Sequence, residues 1–249
     1  MSGGYLNFEE EGKMICKIGK KTLYISDKII EEGFNHYVPK GELVIQQIPD
    51  KETERSILYI TAPSGSGKSY YTREYVAEYH KMFPKRQVFI FSALEDDPTL
   101  DKLKYIKRIK IDKPEFLSMS LTSEDFKDSL VIFDDVDSIT TKPIKVKVYS
   151  ILTSINNCGR HFNVSVIYTS HIACGGNESK SILNECHSLT VFPKNLGGKS
   201  SKYLFDNYLG LDKEEIKKIK NIKGRYATIV KSFPMVIYGA HEIWCRTNV

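Results

Sequence analysis

Between residues 57 and 83 three signals follow one another in a fixed order. An apolar run, Ile57-Leu-Tyr-Ile-Thr61, leads into Ala62-Pro-Ser-Gly-Ser-Gly-Lys-Ser69. A segment follows whose Tyr75, Val76, Tyr79, Met82 and Phe83 share one helical face. Strand, glycine-rich turn and helix in this order restrict the fold more than any other feature of the chain. Gly65 and Gly67 let the backbone curl so that successive N–H groups converge. The N-terminus of the next helix adds positive potential at the same place. The pattern is G-x-x-x-x-G-K-[ST] with Ala62 in place of the first glycine. Candidate phosphate-binding residues are Pro63, Ser64, Gly65, Ser66, Gly67, Lys68, Ser69 and Tyr70. Lys68 is expected to reach the β- and γ-phosphates of ATP, and Ser69 to offer its hydroxyl to Mg²⁺.

Leu130-Val-Ile-Phe-Asp134-Asp135 supplies the complementary half. Four apolar residues make a central strand whose C-terminal end delivers two carboxylates. Asp134 is the candidate for holding Mg²⁺, through water. Asp135 stands where a carboxylate orients and polarises the attacking water, a position more often filled by Glu. The stretch between Lys68 and Asp134 has room for helix, strand, helix and a further strand. An intervening strand marks P-loop ATPases with an added catalytic carboxylate. Kinases and GTPases of this fold place the two motif strands side by side. The runs Gln87 to Ala93 and Tyr105 to Ile111 favour the first group.

A third constellation is Gly159-Arg160-His161-Phe-Asn163 followed by Val164-Ser-Val-Ile-Tyr-Thr169-Ser170-His171. Parallel strands of such sheets present their C-terminal ends to the ligand crevice. Thr169, Ser170 and His171 are therefore candidates for sensing the γ-phosphate, with His171 entered among the catalytic residues. Arg160 precedes the strand. It reads equally as a surface arginine or as one that reaches a neighbouring subunit's nucleotide.

The rest of the chain fits around this core. Alternating strands and helices from Ser56 onward predict an α/β fold. The fold class expected is an additional-strand, RecA-like P-loop NTPase with a central, mainly parallel sheet between helices. A helix is expected over Pro143 to Asn157 and a strand over Leu189 to Phe192. Residues 1–50 read as an N-terminal β extension with strands near 14–18, 22–26 and 41–47. Residues 51–249 form the ATPase core with its elaborations. Asp212-Lys-Glu-Glu215 predicts a capped basic helix ending before Gly224. Tyr226 to Lys231 and Met235 to Tyr238 predict a C-terminal hairpin. The net charge of +5 permits a nucleic-acid partner without requiring one. No run approaches the roughly 18 apolar residues of a membrane span, and the start of the chain does not read as a signal peptide. Cys158-x-x-His161 and His171-x-x-Cys174 have metal-like spacing, but the two histidines bracket a strand, so no zinc site is expected.

Ala62-Pro-Ser-Gly-Ser-Gly-Lys-Ser, Val131-Ile-Phe-Asp-Asp and Gly159-Arg-His-Phe-Asn-Val-Ser-Val-Ile-Tyr-Thr-Ser-His together resemble the genome-packaging ATPases of poxviruses, giant viruses and virophages. These belong to the FtsK–HerA superfamily. The resemblance covers residues 55 to 240. It implies an ATP-hydrolysing, Mg²⁺-dependent, homo-oligomeric ring, a pentamer or hexamer, that threads double-stranded DNA into a capsid. It also implies contact with capsid or vertex proteins and residence in the host cytoplasm or the virion. The chain departs from the family with His171 where Gln is common and with Asp-Asp where Asp-Glu is usual. Lys142, Lys145 and Lys147, and two loops expected at 175–180 and 197–202, are candidate DNA contacts, each lysine also reading as solvated surface. Other functions on the same core are a nucleotide or small-molecule kinase, and an assembly factor gated by nucleotide. Arginines are too sparse for a kinase lid, and no Asn-Lys-x-Asp guanine motif is present.

Overall fold

The computed structural model describes residues 4–51, 55–174, 176–196 and 198–246. The N-terminal strands are Tyr5–Asn7 (β1), Lys13–Ile18 (β2), Lys21–Ser26 (β3), His36–Tyr37 (β4) and Ile45–Gln47 (β5). Four of them pair antiparallel in the order β1-β3-β2-β5. The sequence pattern foresaw only three, because β1 and β4 are too short to show a period.

The core begins with β6 (Ile57–Thr61) and α1 (Lys68–Met82), followed by β7 (Gln87–Ser92), β8 (Ile106–Ile109) and α2 (Pro114–Ser118). Next come β9 (Ser129–Asp134), α3 (Lys142–Cys158), β10 (Ser165–Ser170), α4 (Gly176–Glu185) and β11 (Ser188–Val191). Helices α5 (Gly198–Tyr203) and α6 (Lys213–Lys220) precede β12 (Ala227–Val230), β13 (Val236–Tyr238) and β14 (Ile243–Cys245). One sheet joins the strands in the order β4-β14-β13-β12-β11-β6-β10-β9-β7-β8. From β11 to β8 every pair is parallel. The remaining pairs are antiparallel.

The apolar runs of β6, β9 and β10 have no polar face because the sheet is covered on both sides. Alternate residues divide between two cores. Ile57, Tyr59, Val131, Phe133, Val166 and Tyr168 face α3 and α4. Leu58, Ile60, Leu130, Ile132 and Ile167 face α1 through Tyr71, Tyr75, Val76 and Tyr79. Tyr59 stacks on its register partner Tyr168, and Phe91 on Phe133, at 5.5 and 5.0 Å between ring centres. A third core joins the N-terminal sheet, through Leu6, Ile25 and Ile45, to Val236, Tyr238 and Ile243 of the C-terminal strands.

The C-terminal hairpin is therefore a three-stranded ribbon. Its third strand, β14, pairs with β4 from the opposite end of the chain, a partner that local pattern cannot reveal. The loops expected at 175–180 and 197–202 are also corrected: α4 and α5 occupy the described part of both, with residues 175 and 197 outside it. Local Gly, Ser and Asn content suggested turns. Burial of Ile182 and Leu183, and of Leu204 and Phe205 in a π-helical turn after α5, draws both segments into helix. The capping box at Asp212 and Glu215 forms as expected. Among the described residues no helix is long and apolar enough to cross a membrane.

His187 ties the base of the sheet together. Its Nδ1 accepts from the Ile57 N–H at 3.1 Å, its N–H donates to Ile57 O, and its carbonyl accepts from Lys231 N. Burial first, then the charges of Lys13, Arg55 and Lys231, push the imidazole down to about 4. The folded state thus binds this proton less readily than the unfolded chain, whose His titrates near 6.5. The stabilisation is complete above about pH 6.5 and fades as pH falls to about 4, a loss of roughly 2–3 kcal/mol. Urea midpoints measured from pH 7 to pH 4 should show this decline, and His187→Gln should flatten it.

Candidate nucleotide site

Gly65 and Gly67 both have positive φ, 74° and 110°. A side chain at either would strain the curl. Gly67 stands at the N-cap of α1 and no side chain caps that terminus, nor is there an acidic residue in its first turn. The free N–H groups of Lys68 and Ser69 thus form the anion-attracting end of a 15-residue helix.

Lys68 is almost fully buried, at 6% exposure. Its ammonium donates to Ala62 O at 3.0 Å and to His171 Nδ1 at 3.1 Å, and lies 3.5 Å from Asp135 Oδ1. An ammonium only donates, so Nδ1 accepts and the His171 proton sits on Nε2. Nε2 points at Asp135 Oδ2, 2.9 Å away.

Asp135 occupies the left-handed region at φ 46°, uncommon for a residue other than glycine. The turn folds its carboxylate back over the strand end toward Lys68. Ser138 holds this turn, donating its N–H and its hydroxyl to Asp135 O. Thr169 links the acidic pair. Its Oγ1 accepts from the Asp135 N–H at 2.9 Å and lies 2.9 Å from Asp134 Oδ1 and 3.1 Å from Asp135 Oδ1. Ser92 Oγ donates to the other Asp134 oxygen at 3.1 Å. Burial first, then the charge of Asp135, pushes the Asp134 carboxyl up to about 6.

The donor set fits Mg²⁺. The Ser69 hydroxyl and the Asp134 carboxylate are hard oxygen ligands, and a divalent cation would offset the burial and repulsion that Asp134 bears.

Lys68, Asp134, Asp135, Thr169 and His171 thus form one contiguous network at the C-terminal ends of β6, β9 and β10. Ser170 turns away from it. Its hydroxyl donates to Asp137, which also accepts from the His171 N–H. Three contributors were not anticipated. Ser92 ends β7, where the strand-end rule applied to that strand would have found it. Asp137 stands in the sequence beside the acidic pair. Asn195, whose amide donates to Ser66 Oγ at 2.8 Å, lies in a loop that carries no sequence signal.

The strand between β6 and β9 is β10, not the run at 87–93, which lies beyond β9 as β7. The chain returns after β9 to fill the gap, which counting strands along the sequence does not reveal. Arg160 precedes β10 and lies at the opposite end of the sheet, beside a polar cavity it lines with Arg55, Asn156 and Glu185. Roughly 17 Å of strand separates it from this chain's own phosphate loop.

Of the candidate DNA-contacting lysines, Lys147 is engaged. It donates to Leu117 O at 2.9 Å and to Met119 O, with its ammonium over the Phe116 ring. Lys145 donates to Asp137 O at 3.4 Å. Lys142, Lys180, Lys199 and Lys202 are exposed.

A phosphate loop whose strand is separated by a third strand from the one carrying the acidic pair, with polar groups closing that third strand, defines the additional-strand, RecA-like P-loop NTPase fold. No family model matches the chain. Uncharacterized protein V3 of Sputnik virophage is 38% identical over 243 residues, spanning 94% of this chain and 96% of that protein. This chain belongs to the V3 family. Among solved structures, the cytoplasmic domain of the Thermomonospora curvata type VII secretion ATPase EccC shares the fold at a TM-score of 0.52 and 12% identity, covering 95% of this chain and 29% of that one. The DNA-packaging ATPase B204 of Sulfolobus turreted icosahedral virus aligns at a TM-score of 0.49 and 15% identity, over 75% of this chain and 98% of that one.

Proposed function

We propose that this chain hydrolyses ATP to drive double-stranded DNA into a viral capsid, working as a homo-oligomeric ring. The observation that carries the reading is the network running from Lys68 through His171 and Asp135 to Thr169 and Asp134, beside an uncapped helix terminus. The virophage relative supports a viral setting, and β10 between the two motif strands favours an ATPase over a kinase.

The main-chain amides of residues 63–69 would bind the triphosphate, with Tyr70 at the edge of the loop. Lys68 would exchange Asp135 and His171 for β- and γ-oxygens. Ser69 and Asp134 would hold Mg²⁺, which when bound neutralises charge on the phosphate oxygens. Asp135, released from Lys68, would take up the proton of the attacking water. His171 touches both Lys68 and Asp135, so loss of the γ-phosphate would be felt in its position. Lys180, Lys199 and Lys202 follow the strand ends that face the nucleotide. They would contact DNA phosphates with no reading of bases.

ATPase rate measured across protein concentration, with and without duplex DNA, tests the proposal. Turnover should rise severalfold with DNA and with assembly. A rate indifferent to DNA would contradict the motor reading. Arg160 cannot reach its own subunit's phosphates, so its catalytic role would be in trans. Arg160→Ala should lose most of its turnover and regain part of it when mixed with Lys68→Ala subunits. Absence of recovery would contradict a role in trans.

A further inference from the structure

His171 is the first residue beyond β10, where the pairing with β6 ends at Ser170. Its ring nevertheless meets two partners at once. Nδ1 accepts from Lys68 at 3.1 Å, and Nε2 faces Asp135 Oδ2 at 2.9 Å. A ring that must satisfy both ends has little freedom, and its torsions start from wherever the main chain puts the Cα. A group outside the sheet ladder has to fix the main chain at this residue.

That group is Asp137. Its Oδ2 accepts from the Ser170 hydroxyl at 2.8 Å and from the His171 N–H at 3.2 Å. Its Oδ1 is buried and has no hydrogen-bond partner among the described residues. The carboxylate therefore bonds to the end of β10 and to neither Lys68 nor Asp135. The residues flanking His171 are fastened as well: Ser170 O accepts from the Ala62 N–H, and the Tyr59 hydroxyl donates to Ile172 O at 2.9 Å. Asp137 stands in the short helical turn Val136–Ser138 that Asp135 opens. The carboxylate that anchors His171 and the carboxylate that His171 touches thus ride on one turn, whose covalent geometry sets the spacing between them.

We propose that Asp137 is a positioning residue of the hydrolytic site. It holds the main chain at Ser170 and His171 so that one imidazole bridges Lys68 and Asp135, and its contribution to turnover passes through His171 alone. The inference rests on the hydrolytic reading of the network given above. It accounts for a carboxylate kept with one buried oxygen unpaired, since the working atom is the oxygen that receives β10. An amide in its place would keep that acceptor and break no bond of the other oxygen.

A double-mutant cycle with His171 tests it, read as the single-turnover rate and the ATP concentration for half-maximal rate. Asp137→Ala should lower the rate about ten- to a hundredfold, the scale of a misplacement of about 1 Å, while half-saturation stays within about threefold. Asp137→Asn should restore the rate to within about threefold of the wild type. In a His171→Ala background, Asp137→Ala should change the rate by no more than about twofold, because the ring it positions is gone. Equal losses in both backgrounds overturn the proposal and give Asp137 a role of its own. An unchanged rate in Asp137→Ala overturns it too, as does a loss confined to half-saturation. Should Asp137→Ala not fold, Ser170→Ala makes the same comparison by removing one of the two donors. It should cost about threefold or more only where His171 is present. His171→Ala at the wild-type rate removes the role given to His171, and this inference with it. A wild type that hydrolyses no ATP removes the hydrolytic reading on which both rest.

Discussion

Lys68→Ala should abolish ATP hydrolysis, lowering turnover by about a thousandfold or more with the fold retained. The ammonium is buried and sits where β6, α1 and β10 meet. Charge grows on the transferred phosphoryl oxygens as the γ-phosphate leaves, and a fixed cation in a site closed to water stabilises it far more than solvent does. The substitution also leaves Ala62 O, His171 Nδ1 and the Asp135 carboxylate without their common donor. That should cost about 1–3 kcal/mol of stability, visible as a lowered melting temperature. Normal turnover in the folded variant would refute the site.

Asp135→Asn should bind ATP and turn it over about a hundred- to ten-thousandfold more slowly, the range a general base contributes. The amide keeps the size of the carboxylate, so the turn at φ 46° and the contact with Thr169 persist. What disappears is the negative charge facing His171 and Lys68. Asparagine no longer competes with the triphosphate for Lys68, so ATP affinity should rise. Single-turnover kinetics beside equilibrium titration separates the two effects. Unchanged turnover would move the base elsewhere, with Asp137 the nearest carboxylate in sequence apart from Asp134.

The phosphate loop was legible because its chemistry is local. Glycines at positive φ, a lysine and a serine must be consecutive to work. Asp134, Thr169 and His171 were legible for a different reason: parallel strands end at the crevice, so a polar residue closing an apolar run has a known destination. Ser92 and Asn195 depend on which strands become neighbours, and that order is set by packing across the whole sheet. The identity of the strand between β6 and β9 was hidden for the same reason. Helices α4 and α5 show burial overriding local composition: Ile182 and Leu183 outweigh the glycines and serines before them. Pairing of β14 with β4 joins segments from the two ends of the chain, and no window of sequence contains both.

The most direct test is a crystal structure with Mg²⁺ and a non-hydrolysable ATP analogue. The phosphates should lie on the amides around Gly65 to Ser69, with Lys68 moved from His171 onto the γ-phosphate and the metal between Ser69 and Asp134. A triphosphate bound elsewhere, or Asp134 turned away from the metal, would contradict the account.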